Sequence, residues 1–223
     1  MSRTELIEGV KAKLEEISPF DEPQSFIAAG DAGYDRVKPI LLYIDQTLDE
    51  SAKYCLMNLP LSLLSQDIIH DIMSASIDKK GVGHIGHSED SRLIRVRAEL
   101  WQRDCTSFIT TSDALYLIQQ NRFTRGGVSK PIVVYNPEQS ELELFSFPAF
   151  ANETTQEIEL WHIPFYAVLD GESRLRSAES ISSPIYDYII LVCAAQVLDI
   201  MGNKEQAAVL RQEYNTRLES EMQ

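Results

Sequence analysis

Pro131-Ile132-Val133-Val134-Tyr135 and Leu142-Glu143-Leu144-Phe145-Ser146-Phe147 flank the stretch Asn136-Pro137-Glu138-Gln139-Ser140. Two short apolar runs around a cluster of turn-forming residues predict a β-hairpin. This hairpin decides the fold class, because it separates the middle of the chain from ends that carry helical periodicity. Working outward, Leu93-Ile94-Arg95-Val96-Arg97 alternates with the period of a strand. Lys79-Lys80-Gly81-Val82-Gly83 punctuates a second hairpin, and Asn121 to Lys130, with Gly126-Gly127, reads as a loop. Ile158 to Val168, closing at Asp170-Gly171, predicts another strand or two.

The flanks read as helices. Ser2 and Glu5 form a capping box before Leu6, Val10, Leu14 and Ile17, which share one helical face, and Ser18-Pro19 ends the helix. Phe20 to Gly33 reads as a connection. A second helix is predicted from about Tyr34 to Asn58, broken at Leu59-Pro60, with a short helix or turn from Gln66 to Met73. Near the C-terminus, Ser183 caps, Pro184 takes the first helical position and Gly202 closes the far end of an almost wholly apolar helix. Asn203 with Gln206 opens a last helix, with Leu210, Tyr214, Leu218 and Met222 in a narrow stripe. The expected fold is α+β: a helical bundle formed by the N- and C-terminal helices, with a β-rich middle insertion. Its parts are residues 1–75 (helical), 76–175 (β-rich, with a basic loop) and 176–223 (a helical hairpin), integrated in one domain.

Charge is segregated along the sequence. Residues 92–130 carry seven Lys/Arg against Glu99, Asp104 and Asp113, a net of +4, in a chain whose net charge is −14. Residues 131–173 hold eight carboxylates and no Lys or Arg. Such patches repel themselves unless each meets a complement, within the subunit or on another copy in a head-to-tail ring. The acidic balance argues against a broad nucleic-acid binder. Cys55, Cys105 and Cys193 are scattered and odd in number, as in a protein made in a reducing cytoplasm. No signal peptide is expected from the polar start Met1–Glu5, and the apolar run Ile189–Ala195 is too short to span a bilayer.

Sequence signals for chemistry are sparse. His84 and His87 have metal-like spacing, with Glu89 or Asp90 as an added ligand, but their glycine neighbours read as a turn. His70 lies between Asp67 and Asp71 in an expected helix, and His162 reads as a half-buried strand residue. Cys105, beside Arg103, has the surroundings of a thiol of lowered pKa but no placed histidine partner. No catalytic residue, metal ligand or cofactor is assigned. In the basic island, Arg122 and Arg125 around Phe123, followed by two glycines, combine charge, an aromatic side chain and apparent adaptability, as a partner-binding loop does. A solvated loop is the alternative.

Asp113-Ala114-Leu115-Tyr116 and Gln120-Asn121-Arg122-Phe123-Thr124-Arg125-Gly126-Gly127-Val128-Ser129-Lys130-Pro131 resemble the head-to-tail connector proteins of tailed bacteriophages, in particular the ring proteins of crAss-like phages. Asp49 to Ala52 leading to Leu59-Pro60-Leu61, and Tyr186-Asp187-Tyr188 through Ala195 with Gly202 and Ala207-Ala208, are similar to that family's second helix and closing hairpin. The resemblance implies a non-enzymatic virion protein, made in the bacterial host cytoplasm. It would form a homo-oligomeric ring of about twelve copies under the portal protein. The ring would extend the DNA channel, pass genome DNA without binding it specifically, and anchor the neighbouring tail or second ring protein. It further implies portal docking through Leu210, Tyr214, Leu218 and Met222. Arg95, Arg97, Arg122, Phe123, Arg125, Gly126 and Gly127 would then contact the next subunit or ring. The rival functions are a small metal-dependent enzyme using His84 and His87, and a cytoplasmic nucleic-acid-binding regulator using the basic island.

Overall fold

The computed structural model describes residues 3–17, 40–87, 91–148, 154–165 and 183–222. The chain divides into two compact units, Ile68–Pro164 and the remainder, Met1–Asp67 with Phe165–Gln223. The sequence boundaries had fallen at 75/76 and 175/176.

The first unit is a sheet. Its strands are β1 (Ile69–Ile77), β2 (Gly83–Gly86), β3 (Ser91–Ala98), β4 (Phe108–Thr110), β5 (Val133–Asn136), β6 (Glu141–Leu144) and β7 (Thr154–Pro164). The spatial order is β3-β7-β1-β2-β6-β5-β4, seven strands in one sheet. Every pairing is antiparallel except β4 with β5. The two edges nearly meet: Val96 of β3 exchanges both backbone hydrogen bonds with Cys105, just before β4, at 2.9 and 2.8 Å. One bridge between opposite edges almost closes the sheet into a barrel, which protects both edges from pairing with other chains.

Period-two patterning fills the interior. Ala75, Ile77, Ile85, Val96, Ala98, Val133, Leu142, Leu144, Ile158 and Leu160 form its core, with Trp101, Cys105 and Phe147 from the loops. A bulge at Ile94 shifts the register of β3, so Leu93 and Val96 both face this core although they are three apart. Gly81, at φ +78°, closes the β1–β2 turn where an added Cβ would lie 2.5 Å from the Phe147 carbonyl oxygen.

The other unit is helical. It contains α1 (Arg3–Ile17), α2 (Ile40–Asn58), α4 (Ser183–Ile200) and α5 (Lys204–Glu221), while α3 (Ala114–Gln119) belongs to the sheet unit. Central α4 packs against the other three helices. Leu6, Val10 and Leu14 of α1, and Ile44, Leu48, Ala52, Cys55 and Leu56 of α2, are buried. Arg3 pairs with Asp45 (2.7 Å) and Asp49 (3.1 Å), and Lys13 with Glu213 (3.1 Å), joining α1 to α2 and α5. Gly202, at φ +85°, ends α4: its N–H donates to Asp199 O and that of Asn203 to Leu198 O, a Schellman closure. No described helix is long and apolar enough to cross a membrane.

These findings correct the expected fold class. The chain is a mixed α/β protein in which a seven-stranded, nearly closed sheet builds its own core, and not a helical bundle carrying a β-rich insertion. The decisive difference lies at residues 66–73, expected as a short helix or turn. They run into β1, whose neighbours β7 and β2 make it central. Its inward positions are Ile69, Asp71, Met73, Ala75 and Ile77, so a carboxylate and a small alanine interrupt them, while Ile72 points outward and is 61% exposed, which blurs the alternation. Strand β4 and helix α3 gave no clear signal either. The Asn203 side chain makes no capping bond, although α5 starts there. The Ser2 capping box, the Ser18–Gly33 connection, the start of the second helix before Ile40 and the Asp170-Gly171 turn lie outside the described residues.

Residues 69 and 162 are paired neighbours on β1 and β7, so the sheet unit begins and ends at adjacent points. A fragment of residues 68–164 is therefore expected to fold alone, with a single cooperative urea transition. A fragment without tertiary near-ultraviolet dichroism would show that its core needs the rest of the chain.

Candidate functional site

Strands β4 and β5 run parallel, so the chain must return from the end of one to the start of the other outside the sheet. Residues 111–132 make that return through α3 and a tight loop. Asp113 caps α3, its carboxylate accepting from Leu115 N at 2.8 Å. Tyr116 anchors the helix to the outer face of β4 and β5, packing with Ile109, Val134 and Phe145. Its hydroxyl donates to Glu143 (3.3 Å), whose other carboxylate oxygen accepts from buried Asn136 (3.0 Å). Burial and this carboxylate push the Tyr116 phenol upward from its ordinary pKa, so it remains a donor.

With Tyr116 and Gln119 turned inward, the large apolar side chains of the short helix face water. Leu115, Leu117 and Ile118 are 51%, 75% and 44% exposed, and Phe123 in the following turn is 95% exposed. Arg122 beside it is also exposed. The segment is nevertheless fastened. Buried Gln119 accepts from Gly126 N at 2.8 Å, Asn121 caps the turn by accepting from Phe123 N, and Thr124 Oγ1 donates to Ile118 O. Arg125 reaches back to donate to the carbonyl oxygens of Lys80 and Phe147. Four large apolar side chains are thus held on a rigid protrusion. Fully burying such a side chain is worth roughly 1.5–3 kcal/mol, and exposed apolar clusters of this kind mark protein contact sites.

The expected interface residues divide accordingly. Arg122 and Phe123 stand at the tip. Arg125 is an internal anchor, and half-buried Gly126 leaves room that a Cβ would take, 3.0 Å from Lys130 O and Ile132 Cγ1. Exposed Gly127 bridges Lys130 in the returning turn. The apparent adaptability of the glycine pair is therefore corrected: hydrogen bonds and close packing fix the loop. Arg95 and Arg97 sit elsewhere, on β3, and share Asp104 at 3.2 and 3.8 Å. The Arg95 guanidinium lies 3.6 Å from the Trp161 ring centroid, and His70 stacks on Trp161 at 4.4 Å from the neighbouring strand. That stack is a structural clamp across β3, β7 and β1.

The C-terminal stripe divides as well. Leu210 and Tyr214 are 0% and 7% exposed in the core of the helical unit, so neither projects from α5 as a docking side chain; Leu218 is half-buried and Met222 exposed.

The histidine signals resolve differently from their spacing. His84 points out of the sheet, with Nδ1 3.2 Å from Glu141, whereas His87 lies on the inward side, with Nε2 2.8 Å from Ser91 Oγ. Three residues along an extended strand places them on opposite faces, so the two do not share one ion. Glu89 and Asp90 lie outside the described residues, and no described group of three His, Cys, Asp or Glu can hold a metal. His87 instead meets His162 edge-on at 6.0 Å, and His162 Nε2 is 2.9 Å from Asp71. Burial, and then His162, hold the His87 pKa down at about 4. His70 is a strand residue and not a helical one. Cys105 is the reverse of the expected activated thiol: burial raises its pKa, and its Sγ donates to Ser107 O.

Compared with protein-family models and with curated proteins, the chain matches none.

The His87 environment sets a pH dependence. Its folded pKa of about 4 lies below the ordinary 6.5, so the unfolded chain binds the extra proton between those values. The contribution of His87 is fully present above about pH 6.5 and is lost as pH falls toward 4. The expected result is a Tm decline over this window that is shallower in His87→Gln than in the wild type. Parallel declines would remove His87 as the titrating group.

Proposed function

We propose that this chain is a non-enzymatic structural subunit of the head-to-tail connector of a tailed-phage particle. It forms a homo-oligomeric ring on the portal protein, extends the DNA channel and anchors the next tail component. The observation that carries this reading is the protrusion at residues 113–126, preorganised by its own hydrogen bonds and exposing Leu115, Leu117, Ile118 and Phe123 beside Arg122. A lone chain leaves this surface in water, whereas repeated contacts in a ring bury it once per subunit. The resemblance to connector proteins rests on Asp113–Tyr116 and Gln120–Pro131, the same segment. The net charge of −14 supports a channel wall that repels the phosphate backbone, so that DNA slides through without being held. For the portal contact, the outer turns of α5 with Leu218 and Met222 are what remains of the C-terminal stripe. The nucleic-acid regulator gains no support, because Arg95 and Arg97 share Asp104 and Arg125 is turned inward onto the Lys80 and Phe147 carbonyls, which breaks up the basic island.

Quantitative mass spectrometry of purified, nuclease-resistant particles tests the placement. A low, fixed ratio to the major capsid protein is expected, and abundance in the lysate with absence from particles would sink the reading. Arg122→Glu with Phe123→Ala should abolish ring assembly by electron microscopy while leaving Tm within about 2 °C, since exposed sites contribute little to stability. Unchanged rings would remove the protrusion from the assembly contact. Arg125→Glu is unsuited to this test because it would also release the loop's internal anchor.

A further inference from the structure

We propose that the protrusion of one copy docks on the helical unit of a second copy, with Phe123 entering the groove beside α2 and Arg122 facing Glu50. This inference rests on the connector reading and names the contact that would build its ring.

Charge points to the occupant. Residues 114–130 contain Arg122, Arg125 and Lys130 and no carboxylate. The fold also holds Lys79 and Lys80 close by, since Arg125 is bonded to the Lys80 carbonyl. A surface that is both basic and apolar fits an acidic partner with an apolar seat. Helix α2 presents one: Asp45, Asp49 and Glu50 outnumber Lys53. Asp45 and Asp49 are engaged by Arg3, whereas Glu50 projects into solvent one turn before Tyr54. Tyr54 and Met57 follow on the same face, 48% and 47% exposed.

Beside Tyr54 lies a groove of about 290 Å³, bounded by Leu191, Ala195, Leu210 and Tyr214 and large enough for a phenyl ring. Arg211 on its rim is itself paired with Asp199, so it does not oppose an incoming cation with a free charge. An aromatic anchor in an apolar pocket, with a charge pair at the rim, is how interface energy concentrates. An anionic membrane would also attract a basic, apolar tip, but it offers no shaped seat for the Phe123 ring, whereas a second copy supplies both the groove and the Glu50 carboxylate. Protrusion and groove are different surfaces of one chain, so the contact is heterologous and propagates head to tail until it closes.

The test mixes full-length Leu117→Cys with full-length Asn215→Cys at high concentration and adds a short bis-maleimide. The native cysteines are buried, which keeps their background low. The expected product is a heterodimer joined between positions 117 and 215, located by peptide mass spectrometry. Arg122→Glu in the first partner should reduce it about tenfold or more, and Glu50→Arg in the second should restore it. No such heterodimer, or one indifferent to Arg122→Glu, overturns the contact. Co-sedimentation of the wild type with phosphatidylserine vesicles, in place of cross-linking, reassigns the surface to lipid and also overturns it. The two readings fail separately. A chain present in particles but without this cross-link loses the contact alone, and a cross-linked chain absent from particles loses the connector role alone.

Discussion

The parallel pairing of β4 with β5 is the constraint on which the surface chemistry of this protein depends. An antiparallel neighbour could follow through a tight turn, but a parallel one obliges the chain to travel back outside the sheet. Residues 111–132 are that return path. A six-residue helix is too short to bury a full apolar face, and the inward positions of α3 are taken by Tyr116 and polar Gln119. Leu115, Leu117 and Ile118 are left outside by geometry. Gln119, Asn121 and Arg125 then fasten the path, so the exposed residues are displayed on a fixed support. A flexible loop would lose conformational entropy on binding; this one has already lost it during folding.

The near closure of the sheet bears on the same question. The Val96–Cys105 bridge interrupts the outer edge of β3, and β4 at the other edge is only three residues long, which limits association by adding strands. On the proposed reading, side-chain contacts at the protrusion carry the assembly. The helical unit complements this: α4 is consumed as the hub of its own core, and α2 keeps a face with Glu50, Tyr54 and Met57 in solvent. The stripe on α5, which by pattern alone resembles a docking seam, is mostly internal packing. Leu210 and Tyr214 seat α5 on its neighbours.

The legible parts of the fold were those with strong local chemistry. The 131–147 hairpin, the Gly81 turn, the alternation in β3 and the α4 closure at Gly202 all follow from residues acting on their own neighbourhood. Strand β1 was hidden because its inward face carries Asp71 and a small alanine while Ile72 faces outward, so hydrophobicity did not alternate cleanly. Strand β4 and α3 were hidden because their stability is tertiary: three residues pair only with β5, and α3 is held by Tyr116 alone among its large side chains. Arg122 and Phe123 stood out from type and setting, and the structure places both in solvent at the tip of the loop. Their neighbours Leu115, Leu117 and Ile118 did not stand out, since at helical spacing leucines read as core, and only the sheet beneath Tyr116 reveals which way they point. The metal-like spacing of His84 and His87 does not bring them together, because three residues along a strand do not share a face.

Cryo-electron microscopy of the portal vertex of particles carrying this chain tests the central claim most directly. The account predicts a ring in which residues 113–126 of every copy, with Phe123 at the tip, are buried against a neighbouring protein subunit. A ring in which that segment faces solvent in every copy, or particles with no copy at the vertex, would contradict it.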